Sequence, residues 1–280
     1  MNLKRLIIAL ALCAVLAVGA AGAAAPCVIP GVPEGSEPKP TVLADELQLG
    51  IWIVLLERAE MIADPSAPGG YREGERVRIS STMYDNDGWI SQHITYRPDG
   101  RSESKTIYLR TAATGPNEGA SYYTGDNKIF ARETIEFSAA EDGTAIMTRT
   151  ITDADGNLQE VHTVQHDENG LEVASTVAGP DGAVKYTTVT QRDAKGRPIV
   201  VEVRDAEGVL LSKTEREYDA LGALAAETTW TPQEVITSTF ESDWNQWWVV
   251  RRNYRLVTEA DGRVKRVPLD VIYRSMTEYG

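Results

Sequence analysis

Residues 193–222 read DAKG RPIVVEVR DAEG VLLSKTEREY DALG. Three four-residue units, Asp193 to Gly196, Asp205 to Gly208 and Asp219 to Gly222, divide this stretch into segments of eight and ten residues. Asp at the first position can accept backbone N–H groups ahead of it, and Gly at the fourth takes the positive φ that a Cβ resists. Hairpin loops built on a type I turn followed by a left-handed residue call for this chemistry, so each unit should reverse the chain. The intervening Ile199-Val200-Val201-Glu202-Val203 is β-branched and too short for a helix that must repeat every 12 to 14 residues.

The same signal recurs outward in both directions. It closes on Gly88, Gly100, Gly143, Gly156, Gly170 and Gly182 before this stretch and on Gly262 after it, and from Gly143 to Gly222 the glycine spacings are 13, 14, 12, 14, 12 and 14. Removing the turns leaves strands of roughly eight to ten residues. The expected fold is all-β: an antiparallel β-meander of about 9–12 strands that twists into a curled sheet or open barrel. Leu171, Val173, Val177, Val184, Tyr186, Ile199, Val201, Val203, Leu210 and Leu224 are the candidates for its inner face.

Tyr218-Asp219-Ala220-Leu221-Gly222-Ala223-Leu224, followed by Glu227-Thr228-Thr229, resembles the YD repeat of the RHS family, and Tyr84 to Gly88 and Asp193 to Arg197 match it in part. The run Trp247-Trp248-Val249-Val250-Arg251 with Tyr254, Ile272-Tyr273 and Tyr279 is similar to the closing aromatic strands of small exported YD-repeat proteins. The resemblance spans roughly residues 80–280 and implies hairpin repeats in an exported bacterial protein. Large members wrap a toxin and carry an Asp-Pro self-cleavage motif. Here the only Asp-Pro step is Asp64-Pro65, so encapsulation is not carried over.

The first 25 residues have the pattern of a secretory signal: Lys4 and Arg5, an apolar run from Leu6 to Val18, and small residues to an expected cleavage near Ala25. Residues 26–40 then read as a flexible Pro/Gly-rich lead-in, and 41–280 as a single β-repeat domain. Export implies a periplasmic or secreted location, with no transmembrane segment after cleavage. Cys27 alone would survive processing, so no intramolecular disulfide is expected. The mature part would hold 26 basic against 41 acidic residues, a charge of −15, which repels nucleic acid.

From Thr41 to Met61, Leu43, Leu47, Ile51, Val54 and Met61 fall at helical spacing, and the reading favours a short apolar helix over a buried strand. Residues 62–74 and 111–127 read as loops. Trp244, Trp247 and Trp248, interleaved with Arg251 and Arg252, are the candidate binding residues for a protein or glycan partner in the envelope, with capping of the sheet end as the structural alternative.

Signed catalytic chemistry is scarce. His162 and His166 would sit about 13 Å apart along a strand, and the Asp85 and Asp153 units lack the distal Glu of a calcium loop. No metal, cofactor or catalytic residue is assigned. The sequence reads as a non-enzymatic structural or binding module of the bacterial envelope. The alternatives are a periplasmic carrier of a small apolar ligand or lipid and, further off, a glycan-acting enzyme that pairs carboxylates in space.

Overall fold

The computed structural model describes residues 47, 50–110, 117–141 and 144–278. The leader, the lead-in with Cys27, residues 41–46, Gly143, Tyr279 and Gly280 lie outside the described residues.

The turn at Asp193 forms as its chemistry dictates. Asp193 N–H donates to Arg197 O at 2.9 Å, and Gly196 N–H to Asp193 O at 2.9 Å. The Asp193 carboxylate accepts Lys195 N–H and Arg197 N–H, each at 2.9 Å, while Gly196 stands at φ 80°. A left-handed residue at this place makes a bulge beside the turn, seen as the register shift between Gln191 and Arg192. Asp85, Asp153, Asp167, Asp205, Asp219 and Asp243 repeat the backbone pattern.

Sixteen strands result among the described residues. They are β1 (Ile51–Ala63), β2 (Tyr71–Tyr84), β3 (Ile90–Tyr96), β4 (Ser102–Leu109), β5 (Gly119–Thr124), β6 (Ile129–Ala139), β7 (Ala145–Asp153) and β8 (Leu158–His166), continuing as β9 (Glu172–Ala178), β10 (Val184–Arg192), β11 (Pro198–Asp205), β12 (Leu210–Tyr218), β13 (Leu224–Trp230), β14 (Val235–Ser242), β15 (Trp248–Thr258) and β16 (Val264–Glu278). Each strand pairs antiparallel with its sequence neighbours, and β1 pairs with β16, so the meander closes into a barrel.

Four features depart from the sequence reading. There are more strands than nine to twelve, and the barrel is closed rather than open. From Ile51 onward the apolar segment is strand β1, the alternative to the favoured helix, held between β2 and β16. A register shift between Ile51 and Ile53 turns Ile51 and Val54 to the same buried cluster, which produces helix-like spacing in a strand. Parts of the two expected loops are strand: 62–63 in β1, 71–74 in β2 and 119–124 in β5.

Directly opposed residues share a face, so rows can be followed around the wall. Ile135, Arg149, His162, Val177 and Tyr186 form one row across β6 to β10. This row points inward: neighbouring Glu133, two residues from Ile135, is buried, while Arg132, Thr134 and Glu136 are exposed. Curvature crowds the inner side chains and splays the outer ones. Of the expected inner residues, Val177, Tyr186, Val201 and Val203 lie on this face, whereas Val184 is exposed. Sixteen strands exceed the roughly eight whose interior side chains can fill. Inner residues such as Ser175, Thr190, Ser212 and Thr214 accordingly stay partly exposed, and the apolar clusters are small.

Candidate functional site

Two places gather functional groups: the inner wall and the end at which β1 begins.

On the inner wall, the buried Glu133 carboxylate accepts the Tyr122 hydroxyl and Arg149 Nε. Burial works to raise the Glu133 pKa, but the charge and hydrogen bond of Arg149 hold it below the usual carboxylate range. Burial, and then the Glu133 charge, push the Tyr122 phenol well up. Further round, Glu160 lies 3.1 Å from His162 Nε2 and accepts Lys185 Nζ at 2.7 Å. The hydrogen bond to His162, opposed by burial and reinforced by Lys185, lowers its pKa. Tyr186 sits beside this pair, and burial followed by the Glu160 charge raises its phenol to about 12.

A second inner row crosses six strands: Arg216, Glu227, Ser238, Asn253, Asp270 and Glu60. Arg216 Nε donates to Glu227 at 2.9 Å and Arg251 Nη2 donates to its other oxygen at 3.1 Å. Ser238 Oγ donates to Asn253 at 2.7 Å, and Asn253 Nδ2 to Asp270 at 2.6 Å. Glu133, Glu160 and Glu227 thus each face cationic or hydrogen-bonding partners. A general acid with a raised pKa needs the opposite surroundings, and among the described carboxylates it is Glu172 whose pKa burial raises.

At the end where β1 begins, neighbouring hairpins are tied together. The residue just before the turn Asp reaches back to a backbone carbonyl beyond the previous turn at that end. His166 Nδ1 lies 3.4 Å from Ala145 O, Arg192 Nη2 donates to Glu172 O at 2.6 Å, and Tyr218 donates to Pro198 O at 3.0 Å. Arg110 bridges Asp85 and Asp87 at 2.9 and 2.8 Å. Leu47, Ile51, Val54, Tyr84 and Trp247 pack as a buried cluster at this laced end. At the opposite, free end the turn tips of Asp99, Asp155, Asp181, Glu207 and Asp261 are exposed, and Val209 and Val264 stand in solvent.

The five Trp and Arg candidates therefore part company. Trp247 is buried in the end cluster, the capping alternative. Trp248 packs against Phe240 and under the Arg274 guanidinium, 4.6 Å from its ring centre. Arg251 belongs to the inner row, while the neighbouring Arg252 pairs with Glu241 outside. Of the five, only Trp244 stands largely exposed: it is 88% exposed on the β14–β15 turn. Beside it lies a groove of about 420 Å³ lined by Asp243, Trp244, Asn245, Trp247, Met276, Thr277 and Glu278. Sequence reading missed Asp243 and Glu278, because the first opens a turn without glycine and the second lies 35 residues away in sequence. Among the described residues no cluster of His, Cys, Asp and Glu suits a metal ion. The turn glycines Gly88, Gly100, Gly156, Gly170, Gly182, Gly196, Gly208, Gly222 and Gly262 all adopt positive φ.

No protein-family model matches the chain, and no curated protein sequence matches it. Among solved structures, a porin-like protein from Bacteroides uniformis aligns at 12% identity over 86% of this chain and 100% of its own, with a TM-score of 0.35. A porin-like protein from Bacteroides vulgatus aligns at 10% identity over 79% of this chain and 97% of its own, with a TM-score of 0.29. The TcdB2-TccC3-TEV structure aligns at 11% identity over 74% of this chain and 15% of its own, with a TM-score of 0.21. At these scores none of the three carries a functional argument.

Proposed function

We propose that the protein is an exported, non-enzymatic barrel serving as a structural or binding module of the bacterial envelope, bathed in water on both faces of its wall. The observation that carries this reading is an outward row at mid-barrel, Glu136, Thr148, Thr163, Thr176 and Thr187, made of hydroxyls and a charge. Acyl chains require an unbroken apolar band around a spanning barrel, and this row interrupts it. A second outward row runs Val189, Glu202, Lys213 and Trp230 and repeats the mixture. The basic, apolar and small-residue order of the first 25 residues supports export.

Partnered inner carboxylates favour a scaffold over a catalyst, and a wall lined by Glu133, Arg149, Glu227 and Arg216 offers an apolar guest little. The likeness to YD repeats draws support from Tyr218, whose hydroxyl ties one hairpin to the next. Binding is assigned to the laced end, where Trp244 stands free of the wall.

The test is fractionation of a bacterium producing the tagged full chain. Release of the chain by osmotic shock, as a form shortened at its N-terminus, is the expected result. Retention in the cytosol, or detergent-dependent extraction with the outer membrane, would overturn the proposal.

A further inference from the structure

The groove beside Trp244 has a chemistry that the rest of the laced end lacks. Asp243 Oδ1 is occupied by Asn245 N–H and Trp247 N–H at 2.9 and 3.0 Å, so the second oxygen of this groove-lining carboxylate is the one left to a further donor. Glu278 closes the opposite side at the end of β16. Among the described residues neither carboxylate pairs with a lysine or arginine. At two other turns of the same rim the acids do meet cations: Asp85 and Asp87 hold Arg110, and Asp193 holds Arg197 at 2.6 Å.

The same groove is lined by the exposed indole of Trp244, by the buried Trp247 and by the half-buried Met276. An indole face attracts a cation through its quadrupole, and flanking carboxylates add charge-assisted hydrogen bonds. The turn is held by its own backbone bonds, Gln246 N–H to Asp243 O at 3.1 Å and Asp243 N–H to Trp247 O at 2.8 Å, so the backbone that carries Trp244 is ordered before any ligand arrives. A chain of net charge −13 also draws cationic partners toward itself.

We propose that this groove binds the side-chain ammonium of a lysine presented by a basic peptide segment of a partner, with the ammonium over Trp244 and between Asp243 and Glu278. This rests on the assignment of the laced end as the binding face. The groove is open to the surface, so a side chain can enter from a partner docked on the rim, and Leu221, 74% exposed on the adjacent turn, supplies an apolar neighbour for the peptide stem.

The experiment is calorimetric titration of the full chain with a capped Gly-Lys-Gly-Lys-Gly peptide, with the glutamate version of that peptide and glucosamine as parallel arms. Trp244→Ala is expected to weaken the lysine peptide about three- to fivefold, and Glu278→Gln by a smaller, salt-sensitive factor. Both positions are exposed, and unchanged denaturation midpoints would establish that the variants fold. Lysine-peptide binding that survives Trp244→Ala, equal binding of the glutamate peptide, or equal binding of glucosamine would overturn the proposal. A chain that fractionates as exported yet ignores the lysine peptide would sink this inference while leaving the envelope reading in place.

Discussion

The two ends of the barrel are built from the same turn chemistry and behave differently. At the laced end the residue following the turn is buried at Trp89, Leu171, Ala223 and Trp247 and half-buried at Arg197. At the free end the equivalent residues, Arg101, Asn157, Ala183 and Val209, are exposed. Backbone bonds inside each turn are alike: Gly196 N–H to Asp193 O is 2.9 Å at one end and Gly208 N–H to Asp205 O is 3.1 Å at the other. The difference comes from the side chain before the turn. His166, Arg192 and Tyr218 reach sideways to the neighbouring hairpin; Arg192 also turns back to Gly196 of its own hairpin at 3.0 Å, the one bond of the two that Arg204 repeats, to Gly208 at 3.1 Å. A turn thus reverses the chain unaided, while lateral side-chain bonds decide whether adjacent turns act as one rim.

The largest expected break in this asymmetry is Tyr84→Ala. Tyr84 is 2% exposed within the laced-end cluster, and removing a buried aromatic side chain costs about 3–5 kcal/mol. Val209→Ala at the free end should change stability by less than about 0.5 kcal/mol. Denaturant midpoints compare the two, and equal losses would erase the distinction.

Gly196→Ala and Gly208→Ala come next. Both stand at positive φ, 80° and 81°, and share a left-handed cost of about 1–2 kcal/mol. A Cβ at Gly196 would also meet Leu171 Cδ1 at 3.0 Å, while nothing lies within 4 Å at Gly208. The laced-end variant should therefore melt lower.

Tyr218→Phe removes the hydroxyl that ties its hairpin to Pro198 and keeps the ring under Arg197, so a loss of about 1 kcal/mol is expected. Partial proteolysis near Asp219 should rise with it.

The smallest effect concerns pH. Burial lowers the pKa of His166 at the laced end and of His93 on β3 below 6.5. The unfolded chain then takes up protons first, so stability that is complete above 6.5 is lost as pH falls through that value toward the folded pKa. Glu133 and Glu160, with lowered pKa values, lose their contribution only below the ordinary carboxylate value of 4.5, which separates the two windows. Denaturation at about pH 5.5 and about pH 7.5 should show the decline, and His166→Gln should shrink it.

The turns that close on glycine were legible because a positive φ leaves few other residues in contention. Five connections were not. Asn127 and Gln246 hold positive φ without being glycine, at 60° and 67°. The 231–234 turn is fixed instead by the Thr231 hydroxyl, which accepts Gln233 N–H and Glu234 N–H. Residues 64–70, and the sequence between β4 and β5, carry no repeated signature. The missing strands follow from these five. The Trp and Arg region was singled out by composition, yet alternation sends Arg251 inward and Arg252 outward. The bulge between Glu241 and Ser242 brings Trp248 to the inner side.

Local chemistry in the sequence determined where the chain doubles back and that its segments pair antiparallel, since a turn needs only four consecutive residues. Closure belonged to the tertiary structure: Ile51 meets Glu278 across nearly the whole chain, and no local signal encodes a pairing at that distance. That single contact between β1 and β16 also fixed which face became the inside. It set Glu133, Glu160 and Glu227 among cations and turned the Glu136 to Thr187 row outward, because a sheet has no interior until its edges meet.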